Sequence, residues 1–484
     1  MQHYQTIIVG SGFAGICMGI KLKEAGIHDF VLLEKANEVG GTWRDNTYPG
    51  AACDVKSHLY SYSFEPKHDW SRVFSGQQEI LDYTKHCLSK YGLEKHLLLN
   101  WEMSSAVFND QTNLWLVSSK NGAQFTCNFF VLGSGALHIP SLPNIKGMDS
   151  FEGKVFHSSR WDHQYDLKGK RVAVIGTGAS AIQFVPEVVP QVKQLFLFQR
   201  TAPWILPKGD AEIGALRKNL FKYLPFTQSL YRSFIYWMAE LTAVGFVSNK
   251  RLMKFAEFAS MRNLKKIVKE EKLRAKLTPN FTFGCKRVLM TNNYYQSLIQ
   301  PNVEVITDKI EAIGNNFIQT SGGEQHQVDC IICGTGFYVT NNFQFLNIAG
   351  TNGTALNEVW KTGPEAYLGI TVSGFPNLFL LAGPNTGIGH TSMIYMIEAQ
   401  VRYAVDAIKK VLSKKAQAIN VKAEVQDSFN RAIDKQTEQT VWASGCSSWY
   451  LDAKGRNAAI WPDFTFKYKQ QTQQVKEADY HWMD

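Results

Sequence analysis

"HYQTIIVGSGFAGICMGIKLKEAGIHDFVLLEKA", residues 3–36, decides the fold. An apolar run ends in Gly10-x-Gly12-x-x-Gly15, a stretch with helical spacing follows, and a second apolar run closes on Glu34. Gly10 permits a tight turn, Gly12 lets the backbone approach a pyrophosphate, and Gly15 lets helix and strand pack closely. The helix N-terminus, with Phe13 and Ala14 in its first turn, then meets the phosphate charge. A carboxylate at the end of the second strand can accept both ribose hydroxyls of an adenosine. The glycines alone are a weak signal. Strand, loop, helix, strand and terminal acid in this order predict a dinucleotide-binding unit.

The unit recurs at "GKRVAVIGTGASAIQFVPEVVPQVKQLFLFQRT", residues 169–201, with Gly176, Gly178 and, in the third place, Ala181. Arg200 follows Gly176 by the interval that separates Glu34 from Gly10. An acid there would repel a 2′-phosphate, whereas Arg200 can pair with one. The first site therefore reads as FAD and the second as NADPH, with Thr177, Ala179, Ser180 and Gln183 expected along the phosphates. Further strands end in glycine pairs at Gly133/Gly135 and Gly334/Gly336, where chains of this design pass between domains. A fifth strand-to-helix corner, through Gly383, is expected to turn a helix N-terminus and Met393 toward the flavin ring.

These units predict an α/β fold of two doubly wound, Rossmann-like domains with a helical insertion. The expected FAD domain is 1–143 plus 374–484, and the expected NADPH domain is 151–207 plus 281–373. Residues 208–280 are poor in Pro and Gly and apolar at helical spacing, so they read as the insertion.

Bulk composition fits this picture. The 484 residues suggest two or three domains, and 45% hydrophobic with 19% charged residues are globular values. Nothing at the N-terminus reads as a signal peptide. No apolar run reaches the length of a membrane span; the nearest, "IYWMAELTAVGFV" (235–247), is broken by Glu240 and reads as a buried or lid helix, or a peripheral membrane contact. The net charge of +9 is spread along the chain, and the densest basic run, 262–276, carries Glu270 and Glu271. It reads as a solvated helix face, so no nucleic-acid partner is expected. The eight cysteines have no framework spacing, which points to a reduced, cytoplasmic setting. Cys330 and Cys333 lie in a strand-like run and not at a helix start, against a redox CxxC. His157, Asp162 and His163 offer three metal-ligand types in a short span, but no clustered His or Cys partner accompanies them, so no metal is expected.

Two nucleotides define a hydride path from NADPH to flavin but not its destination. A disulfide reductase of this design needs two cysteines facing the flavin, and Cys17 and Cys53 do not form such a pair. Two further stretches bear on the choice. "GTWRDNTYPGAACD" (41–54) presents Gly41, Trp43, Tyr48-Pro49-Gly50 and Asp54, and "FEGKVFHSSRWD" (151–162) presents Gly153, His157 and Trp161-Asp162. Together they resemble the two signatures of the type I Baeyer–Villiger monooxygenases, and the resemblance runs from Gly10 to Trp449.

The resemblance implies that a C4a-peroxyflavin attacks a ketone carbonyl, giving an ester or lactone. The partners implied are O2 and a small ketone, apolar to judge from the aromatic insertion; the oligomeric state is not legible. Such chemistry needs a fixed cation beside the developing oxyanion and a site closed to water. "FGCKRVLMTNNYY" (283–295) looks like the family segment carrying that cation, which implies Arg287 as catalytic, Asp54 as the acid positioning it, and Lys286 joining Arg200 and Thr201 at the 2′-phosphate. Gly41, Thr42, Trp43, Tyr60 and Met103 are expected to touch FAD. "ASGCSSWYLDAKGRNAA" (443–459) resembles the family's closing loop, which would lay Trp449 over the nicotinamide cofactor. The alternatives are an N- or S-oxidising flavin monooxygenase and a sensor flavoprotein without substrate oxygenation. The 151–162 stretch itself reads as an interdomain connector, with Gly153 at a turn, Trp161 anchored by burial, and His157 bonded to backbone across the junction.

Overall fold

A computed structural model describes the whole chain apart from residues 341, 346, 447, 449 and 453. The chain runs β1 (Gln2–Val9), α1 (Phe13–Glu24), β2 (Phe30–Leu33), α2 (Thr42–Asp45), α3 (Gln77–Lys90), β3 (Leu97–Leu98), β4 (Met103–Asn109), β5 (Leu114–Ser119) and β6 (Gln124–Leu132). Next come β7 (Lys154–His157), β8 (Arg171–Ile175), α4 (Ala181–Val188), β9 (Gln194–Phe198), β10 (Ile205–Leu206), α5 (Ala215–Tyr223), α6 (Pro225–Val247), α7 (Met253–Ile267), α8 (Glu271–Lys276) and β11 (Leu289–Met290). The remainder is α9 (Tyr294–Leu298), β12 (Val303–Ile306), β13 (Ile310–Ile313), β14 (Phe317–Thr320), β15 (Gln325–Gln327), β16 (Cys330–Cys333), β17 (Asn347–Ala349), α10 (Leu356–Val359), β18 (Leu378–Leu380), α11 (Met393–Lys414), β19 (Ala418–Val421), α12 (Ala423–Glu438), α13 (Thr465–Gln471) and β20 (Tyr480–Met483).

Two sheets organise the molecule. The first orders its strands β17-β4-β5-β6-β1-β2-β3, with β18 also paired to β6. Its centre is parallel: Ile7 of β1 stands between Val31 of β2 and Phe130 of β6. Successive side chains of a strand face opposite ways, and a parallel sheet is covered on both sides, so β1 is apolar at consecutive positions. Ile8 enters the layer formed by α1 and α11, with Ile16, Ile20, Val401 and Ala404, while Ile7 packs with Trp115 and Ile348 on the other face. The second sheet is fully parallel, ordered β12-β9-β8-β16-β7. The helices α5–α8 form the insertion beyond it. Among the described residues, no helix is long and apolar enough to cross a membrane.

The structure moves two boundaries and revises one further reading. Residues 347–373, expected in the NADPH domain, belong to the first sheet: β17 pairs in parallel with β4, and Ile348, Leu356, Trp360 and Val372 are buried in that core. The chain thus re-enters the first domain at β17, not at residue 374. Residues 208–213, expected in the insertion, also pack against the first domain, through buried Ile213 and an Arg72–Asp210 ion pair of 2.9 Å. Finally, "FEGKVFHSSRWD" is not merely a connector, because its Lys154–His157 segment is β7, the edge strand beside β16. Gly153 is needed there for close approach and not for a turn, since a Cβ would lie 2.5 Å from the Asp329 carbonyl oxygen.

Candidate active site

The two glycine loops are built alike. Gly10 has φ +100° and Gly176 has φ +107°, and both are held against the turn that ends a neighbouring parallel strand. A Cβ on Gly10 would lie 2.6 Å from the Gly133 oxygen, and one on Gly176 would lie 2.4 Å from the Gly334 oxygen. The glycine pairs at 133 and 334 are therefore the partners of these loops. Gly15 packs tighter still, with its Cβ position 1.8 Å from the Gly10 oxygen, so the third glycine is fixed by helix–strand contact. The second unit tolerates Ala181 in that place.

In the first unit, α1 starts at Gly12 with no side-chain cap and no acid in its first turn. Its free N–H groups open into a cavity of about 610 Å³. Gly10, Gly12, Phe13, Ala14 and Glu34 line one end of this cavity, and Gly41, Thr42, Trp43, Tyr60, Met103 and Met393 line the rest. These residues fit an anionic dinucleotide with a flat ring system: uncapped amides, a terminal carboxylate and an aromatic wall. Trp43 Nε1 donates to the Tyr60 hydroxyl at 3.0 Å, which fixes both rings. Glu34 accepts from Ser11 N at 3.1 Å and Ser11 Oγ at 2.7 Å, and pairs with Arg44 at 2.8 Å. Arg44 was not anticipated; it sits inside the quoted 41–54 stretch, and its own bond to Asp45 marks it as structural wiring of the loop.

Arg287 projects into the same cavity. Its Nε and a terminal nitrogen both donate to Asp54 Oδ2, at 2.8 and 2.6 Å, and a second terminal nitrogen approaches the Ile388 carbonyl at 3.5 Å. Residues distant in sequence, Asp54 and Arg287, thus meet. The Asp54 charge raises the Arg287 pKa, overcoming the opposing effect of burial. Lys208 lies beside them: its Nζ donates to the Cys53 carbonyl at 3.1 Å, and burial lowers its pKa. No motif surrounds Lys208 in the sequence, so nothing there could have flagged it.

The second unit holds Arg200 and Lys286 close enough to sense each other. Burial lowers the Lys286 pKa first, and the Arg200 charge lowers it further. Among the described residues neither cation has a carboxylate partner. Two mutually repelling cations beside a glycine loop fit a phosphate. Thr177 Oγ1 donates to the Thr201 carbonyl at 3.2 Å, tying the loop to the end of β9. α4 begins after Ser180 with no side-chain cap and no acid in its first turn, leaving the amides around Gly178 and Ala179 available.

Gln183 bonds to the first domain. Its Oε1 accepts from the Tyr48 hydroxyl at 2.9 Å, and its Nε2 donates to the Ala52 carbonyl at 2.9 Å. Its amide therefore joins the two domains by bonding to the 41–54 segment. His157 Nδ1 accepts from Ser159 N at 3.1 Å, and the ring also hydrogen-bonds the Gly336 backbone, beyond the end of β16. Neighbouring residues bond to the 41–54 segment: His163 hydrogen-bonds Thr47 at 2.8 Å, and Arg160 approaches Asp45 at 3.8 Å. Trp161 packs edge-on against Phe156, and Asp162 pairs with Lys154 at 2.6 Å. Trp449, expected over the nicotinamide, lies outside the described residues. In the same loop, Cys446 is joined to Cys285 by a disulfide with a Cα–Cα distance of 6.4 Å. That pairing departs from the all-reduced reading, and a sequence separation of 161 explains why spacing did not reveal it. Among the described residues no cysteine lines the cavity.

Residues 7–215 match the model of the pyridine nucleotide-disulphide oxidoreductase family. The chain is 45% identical over 482 residues to a Baeyer–Villiger monooxygenase of Pseudomonas aeruginosa, covering 99% of this chain and 92% of that protein. Among solved structures, it superposes on OTEMO in complex with FAD and NADP with a TM-score of 0.89, at 25% identity over 99% of each chain. It superposes equally on an oxidized steroid monooxygenase bound to NADP, with a TM-score of 0.89, at 28% identity over 100% of each chain.

Proposed function

The chain belongs to the Baeyer–Villiger monooxygenases, and from that premise we infer which residues carry each part of the reaction. It is an FAD- and NADPH-dependent monooxygenase that inserts one oxygen atom of O2 next to a ketone carbonyl, giving an ester or lactone. FAD, when bound and reduced by NADPH, would supply the activation of O2.

The protein's own residues bind, orient and stabilise. The amides at Gly12, Phe13 and Ala14 take the FAD pyrophosphate, Glu34 takes the ribose, and Thr42, Trp43, Tyr60, Met103 and Met393 hold the rest of the cofactor against the cavity wall. Arg200, Thr201 and Lys286 hold the 2′-phosphate of NADPH, with the loop at Gly176 to Ser180 on the pyrophosphate. Arg287 presents a permanent cation to the oxyanion that develops as the carbonyl is attacked, and Asp54 aims it. The raised Arg287 pKa supports this role, because the cation cannot lose its proton to a nearby base at working pH. Residues such as Ile388, Ile460 and Trp43 give the cavity apolar walls that exclude water and favour an apolar ketone.

The observation that carries this reading is the Asp54–Arg287 pair at the cavity. Arg287→Ala is expected to retain flavin reduction by NADPH and to lose ester formation by two orders of magnitude or more, on the order of 3 kcal/mol of transition-state stabilisation. Flavin absorbance in the absence of O2, and product analysis with a ketone panel, measure the two steps. Normal ester yield from this variant would remove Arg287 from its role; sulfides oxidised while all ketones return only hydrogen peroxide would move the enzyme to N- or S-oxidation.

A further inference from the structure

The three consecutive helices α5, α6 and α7 each turn an apolar stripe toward solvent. Among the described residues, more than half of the strongly exposed large apolar side chains fall between residues 216 and 258. On α6 the stripe is Phe226, Leu230, Phe234, Trp237 and Leu241, each more than half exposed. These positions recur every three or four residues, so they share one face. Leu216, Leu220 and Tyr223 do the same on α5, where Leu216 is 86% exposed, and Phe255 and Phe258 on α7 are 76% and 68% exposed.

The outer stripe is not a core facing the wrong way. The opposite face of α6 is already packed: Ile235, Tyr236, Ala243 and Val247 are buried, and Tyr236 stacks on Tyr395 at 4.7 Å. Glu240, also inward, accepts from Thr465 N at 3.2 Å and pairs with His390 at 3.3 Å. A helix apolar on both faces needs a second apolar partner, and among the described residues there is only one.

The charges around the stripes say which partner. Arg217, Lys222, Lys250, Arg251 and Lys254 are exposed beside them. The only carboxylates between residues 215 and 258 are Glu240, which is buried, and half-buried Glu257. Such a face repels a second copy of itself, because a two-fold contact would set cation against cation with only half-buried Glu257 to answer. Aromatic and leucine stripes ringed by lysine and arginine suit an anionic lipid surface, where the rings enter the acyl boundary and the cations meet the headgroups. Since no described helix can cross a membrane, the contact lies in the plane of the interface.

We propose that α5–α7 dock the enzyme onto an anionic lipid surface. The test is flotation of the FAD-loaded enzyme with vesicles of phosphatidylcholine alone and of phosphatidylcholine with phosphatidylglycerol. The wild type is expected to float with the anionic vesicles and to be released by high salt. The pair Phe234→Ser with Trp237→Ser, and the pair Lys250→Glu with Lys254→Glu, should each weaken that binding by about tenfold or more while keeping the wild-type melting temperature. Wild-type protein that stays free of anionic vesicles overturns the proposal, whatever the variants do. So does equal binding by both variant pairs, or a solution dimer that the Phe234/Trp237 pair dissociates, since the face would then belong to a second copy.

Discussion

Arg200 and Lys286 hold their positive charges together with no carboxylate paired to either among the described residues, so what they recognise can be measured by removing one. Arg200→Ala is expected to raise the Michaelis constant for NADPH by about ten- to a hundredfold, the worth of a charge-assisted phosphate contact, and to leave that for NADH nearly unchanged. Equal changes for both cofactors would refute the phosphate role. Two buried histidines set a different property. Burial lowers both His58 and His157 from 6.5 to about 4. The unfolded chain therefore takes up protons below about pH 6.5 that the folded chain refuses until about pH 4. Their contribution to stability is complete above pH 6.5 and is lost as the pH falls toward 4. Urea midpoints between pH 7.5 and 4.5 should show this decline, and His157→Gln should make it shallower by its share of one proton. A slope unchanged in the variant would mean that His157 already titrates normally in the folded chain.

At the scale of elements, α6 is fixed to the first domain by a buried carboxylate. Glu240 meets the Thr465 backbone and hydroxyl and His390, and it is the residue that breaks the apolar run at 235–247. Glu240→Leu fits the apolar pattern but strands those partners without an acceptor. It should cost about 3 kcal/mol, read as a lower urea midpoint with little change in the FAD cavity; a neutral result would show that the pair adds nothing to anchoring. The same helix shows how far the sequence reached. The helical character of the insertion was legible, because long periodic segments announce themselves. β17 was not, since Asn347–Ala349 is three residues whose strand state depends on β4 lying alongside. β7 hid for the same reason: four residues without alternation become a strand only beside β16. Gln183 shows the limit for sites. Its place in the glycine-loop helix was legible, but its bonds to Tyr48 and Ala52 depend on a neighbouring domain that no local pattern describes.

At the scale of the whole molecule, the segment from Asp45 to Asp54 is a clasp between the nucleotide domains. Thr47, Tyr48 and Ala52 bond to His163 and Gln183, while Asp54 reaches Arg287. Gln183→Ala cuts the middle of the clasp without touching either glycine loop. It should leave FAD bound and raise several-fold the share of NADPH consumed without ester, measured as the ratio of cofactor oxidised to product formed. An unchanged ratio would reduce Gln183 to a local packing residue. The family signatures were readable because they compress this junction into two short strings, although neither string tells which residues touch across it. Since Asp54 belongs to the clasp and Arg287 approaches it from the far side, the position of the cation is set by how the two domains meet and not by either alone. An error of about 1 Å in such a position costs on the order of a hundredfold in rate. Fidelity in this enzyme is thus a matter of alignment, as in an instrument whose calibration resides in its joint: a substitution can leave the fold, the cofactors and every catalytic side chain intact and still put the reaction out of true.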